Sequence, residues 1–91
     1  MIIHVTEADL NPKQKFCPIK TAIMRQLGIW SMSCWATYYS IGIRYAHTFK
    51  IRIPTPEMVE FMKQWDKTHS NVEPFDFDFD SLPLPLINSI P

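Results

Sequence analysis

The segment Ile41-Gly-Ile-Arg-Tyr-Ala-His-Thr-Phe-Lys-Ile-Arg-Ile53 alternates apolar and polar residues almost without a break. A period of two is the signature of a β-strand with one buried face. It predicts that Ile41, Ile43, Tyr45, His47, Phe49, Ile51 and Ile53 point one way. Gly42, Arg44, Ala46, Thr48, Lys50 and Arg52 then point the other. The whole region from Ile29 to Ile53 has no proline and one glycine, and it is rich in β-branched and aromatic residues. It is too long for one strand, yet no Asn-Gly or Asp-Gly marks a hairpin. Two or three antiparallel strands are expected, with reversals near Trp35 to Thr37 and near Ala46 to Thr48.

The flanking segments supply the remaining elements. Ile2 to Val5 is a short apolar, β-branched strand, and Thr6 can cap a brief turn that Pro12 ends. Asn11 to Phe16 is a polar, basic loop. Pro18 suits the first turn of a helix and Gly28 its C-terminal end, with Ile19, Ala22, Ile23 and Leu27 on one face. Thr55-Pro56-Glu57 opens a second helix, in which Met58, Phe61, Met62 and Trp65 recur at helical spacing. Pro74 to Asp80 alternates Phe75, Phe77 and Phe79 with Asp76, Asp78 and Asp80, a strand with a core-facing aromatic stripe. These elements define an α+β domain over residues 1–80. An antiparallel sheet of four to five strands carries two helices on one face, in the split βαβ (ferredoxin-like) order or a meander variant. Residues 81–91 form an uncharged Leu/Pro-rich tail, whose Leu82, Leu84 and Leu86 either fold back on the domain or dock on another chain.

Bulk composition narrows the function. Ninety-one residues make one domain with a thin core. Nine Lys and Arg balance nine Asp and Glu, which argues against general nucleic-acid coating, and two glycines leave no phosphate-cradling loop. Two cysteines, Cys17 and Cys34, and no signal-peptide pattern fit free thiols in a reducing compartment. The uncharged run from Gln26 to Ile43 is interrupted by serines and aromatics and reads as strands, not as a membrane span.

Neutrality conceals an asymmetry. Seven basic residues and no acidic one lie between Leu10 and Pro56, whereas seven acidic residues against two lysines follow from Glu57. Either the two halves neutralise each other in the fold, or they build a two-signed surface for a charged partner.

Few residues form chemical constellations. Asp76-x-Asp78-x-Asp80 lacks the glycine and the bidentate glutamate of a calcium loop. On a strand its carboxylates also stand about 7 Å apart. Cys17 precedes a helix N-terminus, where a thiol can be activated, but no histidine forms a catalytic signature with it. A small thiol-dependent enzyme is therefore the third reading, and neither a zinc site nor any other cofactor is expected. Aromatics interleaved with Arg44, Lys50 and Arg52, together with Lys13 to Lys20, suggest a small nucleic-acid-binding module. The predicted basic face carries no aromatic for base stacking, which disfavours that alternative.

Several segments taken together resemble a family of small, largely uncharacterised phage and prophage proteins. The matching pieces are Ile3-His4-Val5-Thr6, Cys17-Pro18-Ile19, and Ile53-Pro54 leading into Glu57-x-x-x-Phe61. Trp65-Asp66 and Val72-Glu73-Pro74-Phe75-x-Phe77 complete the series. They span most of residues 2–79. The chain lacks two features frequent in that family, an extra cysteine before Cys-Pro and a glycine-containing turn in the meander. Its Leu-Pro tail also lies outside the pattern. The resemblance brings no catalytic residues. It implies a phage accessory protein, not an enzyme, that binds a protein in the cytoplasm of a bacterial host. Inhibition of a defence system, in the anti-CRISPR manner, is one form of this. The expected contact residues are Arg44, Lys50 and Arg52, the acidic Asp76, Asp78 and Asp80, and Leu82, Leu84 and Leu86 of the tail. A host protein is the expected partner and a homodimer the alternative assembly, without nucleic acid or membrane.

Overall fold

In a computed structural model that describes residues 1–85, two helices and five strands form an α+β fold with two antiparallel sheets. β1 (Ile2–Val5) pairs with β5 (Phe75–Asp78), and β2 (Cys34–Ala36), β3 (Ile41–Tyr45) and β4 (Thr48–Arg52) form a meander. The helices are α1 (Pro18–Leu27) and α2 (Pro56–Thr68). No helix among the described residues is long and apolar enough to cross a membrane.

Local chemistry explains the helix limits. Pro18 and Pro56 open their helices, where the missing N–H would have had no partner. The Thr55 hydroxyl accepts from the Met58 N–H, a side-chain cap. Gly28 ends α1 in the left-handed conformation at φ 65°, its N–H bonded to the Met24 carbonyl. His69 ends α2 in the same conformation and stacks its ring on Trp65, with centroids 5.0 Å apart.

A single continuous sheet does not form. The outer edge of β1 is taken by side chains of α1: Gln26 accepts from the His4 N–H and donates to the Ile2 carbonyl, while Arg25 donates to the His4 carbonyl. A glutamine amide thus pairs where a strand would, so β1 cannot be the central strand that the split βαβ order requires. The Phe79 N–H to Met1 carbonyl bond extends the β1–β5 ribbon, and the ribbon meets the meander through the Ile53 N–H bond to the Pro83 carbonyl.

The core joins both sheets and both helices. Ile3, Ile19, Ile23, Ile41 and Phe79 are fully buried, with Met58 and Met62 from α2 against them. Among the described residues Asp9 is the one buried charge, 1% exposed. Arg25 holds it through a two-pronged contact of 3.0 and 2.9 Å, and the Thr6 N–H and hydroxyl also donate to it. This knot ties the first turn to α1 and β1.

The hairpin between β3 and β4 overturns the predicted faces. Its loop has two residues, Ala46 at φ 51° and His47 at φ 63°, the mirror-image turn that matches strand twist. Residues opposite one another share a face, and the register sets Ile43 opposite Lys50 and Ile41 opposite Arg52. The alternation therefore shifts by one across the turn. Lys50 and Arg52 lie on the core side with the isoleucines of β3, while Phe49 and Ile51 lie outside with Gly42 and Arg44. The first reversal falls at Thr37 to Ser40, where the Thr37 N–H bonds the Ser40 carbonyl, just after the expected Trp35 to Thr37.

Candidate binding surface

The outer face of the meander is built from Trp35, Gly42, Arg44, Phe49 and Ile51. Trp35 stands opposite Gly42, and a Cβ on that glycine would lie 2.2 Å from the indole. The bare backbone lets the ring lie flat across β3. Trp35 donates from Nε1 to the Ser40 hydroxyl at 2.8 Å and packs against Phe49, with centroids 5.7 Å apart. The Arg44 guanidinium sits 5.9 Å from the Phe49 centroid. Phe49 is 54% exposed, and the segments flanking β2 add Trp30 at 83%, Met32 at 94% and Tyr39 at 82%. Exposed aromatics at this density are costly unless something covers them.

The other expected contact charges are paired within the chain. Lys50 donates to Asp80 at 2.9 Å, and Arg52 lies 3.9 Å from the same carboxylate with its guanidinium over the Phe79 ring. The N-terminal ammonium joins Asp78 at 3.1 Å and Asp80 at 2.9 Å. Lys50, followed by the N-terminus, holds the Asp80 carboxyl down at about 2. Ser81 and then the N-terminus lower Asp78 in the same way. Asp76 pairs with His4 Nδ1 at 2.8 Å. Arg44 and Lys50 thus lie on opposite faces, which corrects the expectation of a shared basic face with Arg52. In the tail, Leu82 is buried at 8% exposure and Leu84 is 67% exposed. Leu86 lies outside the described residues.

Cys34 lies in β2 with its side chain buried, and Cys17 lies at the N-terminal end of α1 beside the β2–β3 loop. Cys17 lines a cavity of about 290 Å³ with Met62, Tyr38 and Asp66, and the Tyr38 hydroxyl donates to the Asp66 carboxylate. Burial pushes the Cys17 thiol up, away from the reactive thiolate, and no histidine lines the cavity. Burial raises Cys34 as well. Among the described residues, no three His, Cys, Asp or Glu side chains are placed to share a metal ion.

Comparison with protein-family models, with curated proteins and with solved structures finds no match to this chain.

The sequence pattern concealed Phe49 and Ile51 as partners of Trp35 on one surface, because a strand register carried straight through residues 46 and 47 places them among core residues. Only the oddness of a thirteen-residue alternation without a turn signal hinted at a shift.

Proposed function

We propose that this protein works by binding another protein through the outer face of β2, β3 and β4. Such a role suits the phage accessory proteins that its sequence segments resemble, which occlude host machinery, defence systems included. The observation that carries the reading is exposed Phe49 packed on half-buried Trp35 beside Arg44, on a molecule whose other expected contact charges are internally matched. Paired aromatics with an arginine form the usual centre of a protein interface. No carboxylate occurs between Leu10 and Pro56, so the favoured partner presents an acidic or neutral rim.

The test compares capture from a bacterial lysate by the wild-type chain with capture by Arg44→Glu and Phe49→Ser, followed by reconstitution with the purified captured protein. Both substitutions are on exposed side chains, so the thermal midpoint should hold while affinity falls at least about tenfold, as for interface hot spots. Equal affinity of all three chains for the purified partner defeats the reading.

A second reading has a specific support. The turn shift puts Trp35, Phe49 and Arg44 on one face, which removes the reason for which the sequence disfavoured base stacking. Single-stranded RNA or DNA would then stack there. A low-salt gel shift that weakens with salt and with Trp35→Ala favours this alternative, and no shift at low salt eliminates it.

A further inference from the structure

The second sheet has an open side that the outer-face reading does not use. In the β1–β5 ribbon, Gln26 bonds the backbone of Ile2 and His4 from outside, so Ile3 and Val5 turn their backbone groups toward β5. Their partners Phe77 and Phe75 turn back toward β1, and Phe79 continues the pattern by donating to the Met1 carbonyl. The N–H and C=O groups of Asp76 and Asp78 therefore point away from β1, along an edge with no strand beside it among the described residues.

A cavity of about 350 Å³ lies along this edge, between β5 and the first turns of α2. Met58, Phe61, Phe75 and Phe77 supply its apolar lining, Glu57 and Asp76 its charge. A neighbouring cavity shares Phe75 and Asp76 and adds Glu7. Neither lining contains a lysine or arginine.

We infer that this cleft takes an extended basic peptide segment of a partner, added to β5 as a third strand of the β1–β5 ribbon. The register dictates its side chains. Residues opposite Phe75 and Phe77 enter the apolar cavity, and the residue opposite Asp76 meets its carboxylate, whereas Asp78 already holds the N-terminal ammonium. The fitting segment alternates apolar residues with lysine or arginine. Asp76 holds His4 through Oδ1, which leaves Oδ2 for the incoming cation. A second copy of this chain is the wrong occupant. Two β5 strands laid edge to edge would place the aspartates of both copies on one face, where like charges oppose pairing.

A labelled peptide alternating lysine and valine is the probe, with binding read by fluorescence anisotropy and amide exchange. The peptide should bind the full chain and slow exchange at Asp76 and Asp78. Glu57→Lys should weaken binding about five- to tenfold, with Glu57→Gln between it and wild type, as expected for lost charge contacts. A peptide with glutamate in place of lysine should not bind. Neither should one N-methylated at alternate residues, which cannot complete a strand ladder. Arg44→Glu should bind the peptide normally, so failure here is distinct from failure of the outer-face reading. Absent binding, equal binding of the N-methylated peptide, or unchanged exchange at Asp76 and Asp78 overturns the inference.

Discussion

Asp9 is the residue on which the amino-terminal half depends most. It is a carboxylate at 1% exposure whose acceptors are filled by Arg25 and Thr6. Burial alone would raise its pKa, but the Arg25 contact and the two Thr6 donors outweigh burial and hold it below the ordinary carboxylate value. Arg25 is 43% exposed and stays hydrated once the carboxylate is neutralised, so the loss is that of charge-assisted hydrogen bonds. Asp9→Asn should therefore lose about 1–2 kcal/mol, measured from the urea midpoint. Because the folded pKa lies below the unfolded one, this contribution is complete above about pH 4 and disappears as pH falls through the folded value. The wild-type chain should accordingly lose more stability than Asp9→Asn between about pH 5 and pH 2. Sequence showed Thr6 as a cap and Asp9 beside it. It did not show that Arg25, sixteen positions on, closes the box, since that contact depends on how α1 lies against β1.

At the scale of the element, the helices were the most legible. Their caps, prolines and apolar spacing are local properties, and α1 and α2 begin at the expected prolines. The aromatic stripe of β5 held in part: Phe77 is buried as alternation requires, but the strand ends at Asp78, short of the expected Asp80, and Phe79 is buried from the 3-10 turn Phe79–Ser81 that follows. The meander was legible as strands but not as faces. A two-residue turn built from Ala46 and His47 carries no glycine or asparagine, yet both residues take positive φ. Left-handed backbone costs an ordinary L-residue about 1–2 kcal/mol, and the twist of the paired strands imposes it here. The double substitution Ala46→Asn, His47→Gly should thus stabilise the hairpin by about 1–2 kcal/mol, checked by denaturant unfolding. An unchanged midpoint would mean that the turn is not strained.

Across the whole molecule, the residues after β5 join the two sheets. Leu82 is buried, the Ile53 N–H bonds the Pro83 carbonyl, and Lys50 reaches Asp80. Leu82→Ala should lower stability by about 2–3 kcal/mol, as core leucine truncations do, with the far-ultraviolet spectrum preserved and the thermal midpoint reduced. A midpoint equal to wild type would show that the segment contributes nothing to the core. The same joint accounts for the charge asymmetry. Lys50 and Arg52 of β4 meet Asp80 across the sheet junction, so part of the opposite charge cancels inside the molecule. Among the groups left exposed are Arg44 with its aromatic neighbours and the acidic cleft of β5.

The amino-acid sequence by itself determined the class of fold, two helices and the strands between and around them, because caps, prolines and periodicity act within a few residues of where they are written. It also determined that charge would be sorted along the chain. Only the tertiary structure decided which face each strand presents, whether the strands join one sheet or two, and which charges survive pairing. Those outcomes hang on one two-residue turn and on a glutamine that occupies a strand edge. Neither leaves a periodic trace in the sequence, since both are set by what distant segments place beside them.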